Sequence, residues 1–171
     1  MGVISKGLTA LAAMGLIVGG MLTAMCLKDA AVSQGRDAMH QERLETLIRG
    51  EATDVRGGQG AMEFEFDGVA MACVSDALHD RMRIIAPVVG ASDMTTAQRQ
   101  RVLEANFHTA LDARYATSGP LLYAAFLHPL GSLSEPELRS ALRQVAQLVK
   151  TFGGSYSSGD LRYGTPSDAE T

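Results

Sequence analysis

Residues 61–75 constrain the fold of this chain more than any other stretch. Met62, Phe64 and Phe66 alternate with Glu63 and Glu65. A period of two places large apolar side chains on one face of a strand and carboxylates on the other. Asp67-Gly68 follows directly, a pair suited to the positive φ angles of a two-residue hairpin turn, and Val69 to Ser75 resumes as a second strand. That second strand is apolar on both sides, with Val69, Met71 and Cys73 on one and Ala70, Ala72 and Val74 on the other. The pattern fits a strand covered on two faces, although helices covering only one would leave the other for a partner. An isolated hairpin is not stable in water, so the rest of the chain must extend the sheet and cover it.

Flanking segments supply both. Arg81 to Val88 alternates Met82, Ile84 and Ala86 with Arg83 and Ile85 and reads as a third strand. Pro87 removes a ladder donor and predicts a place near the sheet edge. Before the hairpin, Asp54 to Gly60 carries three glycines and is expected to be a mobile loop. A helix over about 37–50 precedes it, with Met39, Leu44, Leu47 and Ile48 as its apolar face. After the third strand, Thr95 or Thr96 caps a helix over about 96–112, recognised from Leu103, Phe107 and Leu111. Arg114 to Thr117 and Leu121 to Leu127 form a strand pair ended by His128-Pro129. Ser134 and Glu137 make a capping box for the last helix, and Pro136 falls in its first turn, where its missing donor does no harm. Leu138, Leu142, Val145, Val149 and Phe152 form its apolar stripe, and Gly153-Gly154 stops it. The fold class is therefore α+β: helix, three-stranded antiparallel meander, helix, two strands, helix.

The N-terminus has a different character. No charged residue occurs between Gly7 and Leu27, and Lys6 precedes the run. This is an export signal or a membrane anchor, since roughly 20 apolar residues span a bilayer. Leu22-Thr23-Ala24 suits a cleavage site, and Cys26 faintly resembles a lipoprotein acceptor, although Met25 stands where that pattern wants a small residue. Gly15 and Gly19 form a GxxxG spacing that lets two membrane helices approach closely. The expected organisation is a signal peptide or anchor over 1–27, a linker over 28–41, the α+β domain over 42–153 and a flexible tail over 154–171. A net charge of −4 with scattered Lys and Arg argues against nucleic-acid binding, and two cysteines make no disulfide framework.

Several residue sets invite a chemical reading. Cys73 with His79-Asp80 resembles a thiol and base, which requires hydrogen-bond reach between them. His108 and Asp112 lie one helical turn apart, but no HExxH or comparable ligand set completes them. Glu63 and Glu65 share a strand face, whereas glycosidase carboxylates face each other across a cleft. Gly57-Gly58-Gln59-Gly60 lacks the lysine and following helix of a phosphate loop. The residues therefore assign no catalytic group, no metal ligand and no cofactor, and leave the partner-binding residues unlocated.

The order of elements from Glu42 to Phe152 resembles the fold of the type III secretion chaperones and the YbjN-like domains. Its local echoes are Arg101-Val102-Leu103-Glu104-Ala105-Asn106-Phe107, similar to a Leu-rich helix with a central Asn, and the apolar strand Leu121 to Leu127 leading into the last helix. The resemblance implies a homodimer that is not an enzyme and that holds an extended segment of a protein partner along apolar patches and sheet edges. Secretion chaperones work in the cytoplasm, whereas Gly7 to Leu27 directs this chain to or across a membrane.

The function expected from these features is a non-catalytic, protein-binding module of the bacterial envelope, periplasmic or anchored to the inner membrane, acting in regulation or assembly. Two alternatives stand beside it. One is a small periplasmic hydrolase or metal-dependent enzyme using His79, Asp80, His108 or His128; the other is a membrane-anchored structural subunit.

Overall fold

The structure is a computed structural model that describes residues 38–160. The apolar run over 7–27, Cys26 and residues 161–171 lie outside them. The described residues hold a six-stranded sheet, all antiparallel, and three α-helices. In chain order these are α1 (Gln41–Glu51), β1 (Thr53–Gly58), β2 (Ala61–Phe66), β3 (Val69–Asp76), β4 (Arg81–Gly90), α2 (Thr96–His108), β5 (Arg114–Ser118), β6 (Leu121–His128) and α3 (Glu135–Thr151). The spatial order is β1-β2-β3-β4-β6-β5.

The hairpin forms as the alternation predicts. Phe64 pairs with Met71 and Glu63 with Ala72, while Asp67 and Gly68 take φ angles of 53° and 73°. Met62, Phe64, Val69, Met71 and Cys73 point to the helix side and are buried.

The meander has four strands rather than three, because Asp54 to Gly60, expected as a mobile loop, contributes β1. Its glycines serve a twisted, irregular edge. Asp54, Gly57, Gln59 and Gly60 all have positive φ, and the register slips between Thr53 and Arg56. A Cβ at Gly57 would collide with the Ala61 carbonyl. Helix α1 ties this edge down: the Arg49 guanidinium donates to the Gly57 carbonyl at 2.6 Å, and Glu45 Oε1 accepts from the Gly60 amide at 2.8 Å.

β4, expected near an edge because of Pro87, lies centrally between β3 and β6. The β3–β4 ladder stops at Ala72↔Ile85, before Pro87, which is paired on the β6 side, with Tyr123. Its missing donor falls where no ladder bond is required, and a bulge follows between Pro87 and Val89.

Helices α1 and α3 pack on one face. Leu44 and Ile48 of α1, and Leu138, Leu142, Val145 and Leu148 of α3, are fully buried against Ile84, Leu122, Ala124 and Phe126. The Ser134–Glu137 capping box forms as its spacing predicts. Arg139 bridges to Glu51 at 2.6 Å and to Glu135 at 2.7 Å, joining α3 to α1.

Residues 154–160 fold back on the domain, where a flexible tail is expected. The Thr109 hydroxyl donates to the Tyr156 carbonyl at 2.7 Å, and the Leu111 amide donates to Ser158 Oγ at 2.6 Å. Tyr115, Phe152 and Tyr156 meet edge to face beneath this strap.

Candidate functional site

The residues considered for catalysis are dispersed or already engaged. Cys73 is 2% exposed on the helix side of β3, and burial, with the Glu45 carboxylate adding to it, pushes its thiol up to about 12. Such a thiol stays protonated near neutral pH and is a poor nucleophile. His79 sits in the exposed β3–β4 turn, where its Nδ1 lies 2.6 Å from Asp76 Oδ2. That bond, with the turn amides of His79 and Leu78, holds the Asp76 carboxyl below the usual range. Asp80 Oδ1 accepts from the Gly131 amide at 2.6 Å and fastens this turn to the β6–α3 loop. The pairing of Cys73 with His79 and Asp80 is therefore not assembled.

His128 stacks on Phe126 with ring centroids 5.9 Å apart, and its Nδ1 lies 2.8 Å from the Pro129 carbonyl. It borders a cleft of about 360 Å³ that also touches Asp112, Arg114, Glu137 and Gln144. The polar groups of this cleft are committed to structure. Gln144, 4% exposed, accepts from the Asp112 and Ala113 amides at 2.8 and 3.0 Å and donates to Asp112 Oδ2 and Ser140 Oγ. Glu137 completes the α3 cap, and its bonds to Ser134, followed by the charge of His128, hold its carboxyl below the usual range. His108 lies at the end of α2, with its ring against the edge of Phe107, while Asp112 faces Gln144. Glu63 and Glu65 stand side by side on one strand, opposite alanines of β3, with no facing carboxylate across a cleft. Among the described residues, no group of His, Cys, Asp and Glu is arranged to hold a metal, and no helix is long and apolar enough to cross a membrane.

Three surface features distinguish the domain. The first is the sheet face opposite α1 and α3, which no described helix covers. Register puts Glu63, Ala72, Ile85, Ala125 and Arg114 in one row across it, and Val74, Arg83 and Leu127 in the next. Val74 and Leu127 are 44% and 60% exposed, whereas Ala125, buried among its neighbours, stands outside the main core.

The second is α2. Of its residues only Val102 and Ala105 are buried, while Leu103 and Phe107 are 66% and 74% exposed. The Leu103–Phe107 repeat that identifies the helix thus faces outward, and the inward face is made by smaller residues.

The third is the closure of the β5 edge. Asn106 of α2 accepts from the Tyr115 amide at 2.8 Å and donates to the Tyr115 carbonyl at 3.0 Å, so one side-chain amide takes the place of a neighbouring strand. The sequence marks Asn106 as a polar residue within an apolar helix but gives no sign of this role. Asn106→Ala removes both bonds, and a loss of about 1–3 kcal/mol is expected, measured as a lower urea midpoint with an unchanged m-value. A midpoint equal to that of the parent would show that water seals the edge equally well.

An α+β sheet with helices on one face and a helix along the β5 edge defines a secretion-chaperone-like fold. No family model and no curated protein matches the chain. Among solved structures, a chain of the HopA1–SchA chaperone–effector complex is similar, with a TM-score of 0.50 and 16% identity, covering 64% of this chain and 88% of that one. At that identity the likeness is one of fold.

Proposed function

We propose that this protein is a non-catalytic, exported protein-binding module of the bacterial envelope, homodimeric, acting in regulation or assembly by holding a partner protein. The observation that carries this reading is the uncovered sheet face: a sheet buried on one side by α1 and α3 leaves an alanine-rich floor edged by Val74, Ile85 and Leu127 on the other. Exposed apolar patches of this kind mark interaction sites. The similar solved structure is a chaperone–effector complex, which agrees with a protein partner. Its chaperone-like fold leaves room for a YbjN-like assignment within the same architecture.

In this reading the second copy of the chain docks on α2. A helix that buries two side chains and presents Leu103 and Phe107 gains most of its missing burial from a twofold neighbour. The uncharged run from Gly7 to Leu27 serves as signal or anchor and places the domain in the periplasm, free or tethered to the inner membrane.

The test combines intact mass with light scattering on protein produced in a bacterium with its native N-terminus. A mature chain beginning near Met25, with twice the chain mass in solution, is expected. Leu103→Glu/Phe107→Glu is expected to yield a monomer with nearly unchanged unfolding, because both positions are already exposed. A chain that keeps its N-terminal segment belongs to the anchored form, and a monomeric parent protein removes the dimer.

A further inference from the structure

One short piece of sheet edge is neither paired nor sealed. The Tyr115 N–H and C=O both bond to Asn106, away from β6, so Arg114 bonds towards β6 and its register partner Ala125 bonds towards β5. Along an antiparallel ladder the bonding direction alternates from residue to residue. Leu127, two residues beyond Ala125, therefore also aims its N–H and C=O to the β5 side, while Phe126 and His128 bond to β4. β5 starts at Arg114, opposite Ala125, so among the described residues no strand lies beside Leu127. The chain that would prolong β5 turns off instead, its Asp112 and Ala113 amides bonded to Gln144 of α3. The space this leaves, between β6 and α3, is the cleft described above, and Leu127 is 60% exposed beside it.

The lining is unequal in charge. Asp112 and Glu137 each engage one carboxylate oxygen, with Gln144 and Ser134 respectively. Arg114 turns its guanidinium to the Ala113 carbonyl at 2.9 Å. A basic side chain entering beside α3 meets more negative than positive charge. The backbone of a single residue offers two hydrogen bonds, too few to offset the freedom that a separate molecule loses on binding. A segment of the same chain is already held nearby, at an effective concentration of order millimolar, and avoids most of that cost.

The strap leads to this spot. The Ser158 amide donates to the Thr109 carbonyl at 3.2 Å, Ser158 Oγ accepts from the Leu111 amide, and Gly159 lies against the Leu111 side chain. The strap thus runs alongside 109–111 towards Asp112, which lines the cleft. Leu161-Arg162-Tyr163-Gly164-Thr165-Pro166 comes next in the sequence. Three extended residues span about 10 Å, or two strand spacings. Apolar Leu161 and Tyr163 alternate with basic Arg162, and Pro166 has no N–H to carry a ladder further.

We propose that residues 161–165 close the β6 edge of their own chain, with Tyr163 opposite Leu127 and Arg162 turned to the carboxylates of Asp112 and Glu137. Register partners share a face, so Tyr163 covers the exposed Leu127 side chain while its neighbour Arg162 points to the α3 side. The closure keeps this piece of edge from pairing with other chains. It is independent of the partner and the dimer proposed above.

The test is amide hydrogen exchange, read residue by residue by NMR on the full chain with its native N-terminus. The Leu127 amide of the parent is expected to exchange at least about tenfold more slowly than in Tyr163→Pro/Gly164→Pro, which removes donors from the segment. Arg162→Glu is expected to quicken it about threefold. The Tyr115 amide, held by Asn106, is expected to keep its rate in both variants, and quickening there by the same factor overturns the proposal as general loosening. Protection of Leu127 that fades when the parent is diluted marks the segment of a second copy and overturns closure within one chain. Leu127 exchange as fast as that of an exposed amide in the parent, or equally slow in the proline variant, overturns it outright. Chain mass and partner binding are measured separately, so none of these results bears on the protein-binding reading.

Discussion

Ile84→Ala is expected to destabilise the domain by about 2–5 kcal/mol, whereas Ile85→Ala, one residue further along the same strand, is expected to lose less than about 1 kcal/mol. Ile84 is fully buried in the sheet centre, paired with Cys73 on β3 and Phe126 on β6, beneath the fully buried residues of α3. Deleting its outer carbons removes apolar contacts and leaves a cavity that α3 and two neighbouring strands cannot fill without moving. Ile85 points to the uncovered face and is only partly buried. Chemical denaturation of the two variants against the parent measures the difference. Comparable losses at both positions would mean that something covers the second face in the isolated chain.

Gln144→Met is expected to destabilise the domain by about 2–4 kcal/mol, although methionine nearly matches glutamine in shape and is more apolar. Gln144 Oε1 is the acceptor for two successive amides, Asp112 and Ala113, in the loop between α2 and β5. Without it two N–H groups lose their partner, one of them fully buried, and an orphaned buried donor costs more than a typical hydrogen bond contributes. The loop also sets the distance from α2 to β5 and hence the Asn106 seal. Amide hydrogen exchange is expected to quicken at Ala113 and Tyr115 before the rest of the sheet. Unchanged protection at both would show that another group accepts these bonds.

These two residues also illustrate what could be read from the chain. Ile84 was legible, because the alternation of Met82, Ile84 and Ala86 with Arg83 marks the buried side of a strand directly. The β2–β3 turn and the α3 cap were legible for the same reason: their signals are local, lying within a few residues. Gln144 and Asn106 were not. Their partners stand 32 and 9 residues away, and nothing in an isolated polar residue within a helix says whether it faces water or a backbone amide. β1 was hidden by its own composition, since glycine density marks a loop and a distorted edge strand equally well. The outward face of α2 escaped because apolar spacing identifies a helix without saying which side the fold buries. The candidate surface was half legible: the two apolar sides of Val69 to Ser75 showed, but which residues of the other strands share its uncovered face follows only once register is known.

The one-sided sheet also has a thermodynamic consequence. A molecule resting on the uncovered face contacts four or more strands that come together only on folding, so it binds the native state and not the unfolded chain. Occupancy and folding are then linked equilibria, and a partner at a hundred times its dissociation constant adds about 2.7 kcal/mol to the free energy of unfolding. The melting temperature of the domain therefore reports occupancy of that face, without any label on either molecule.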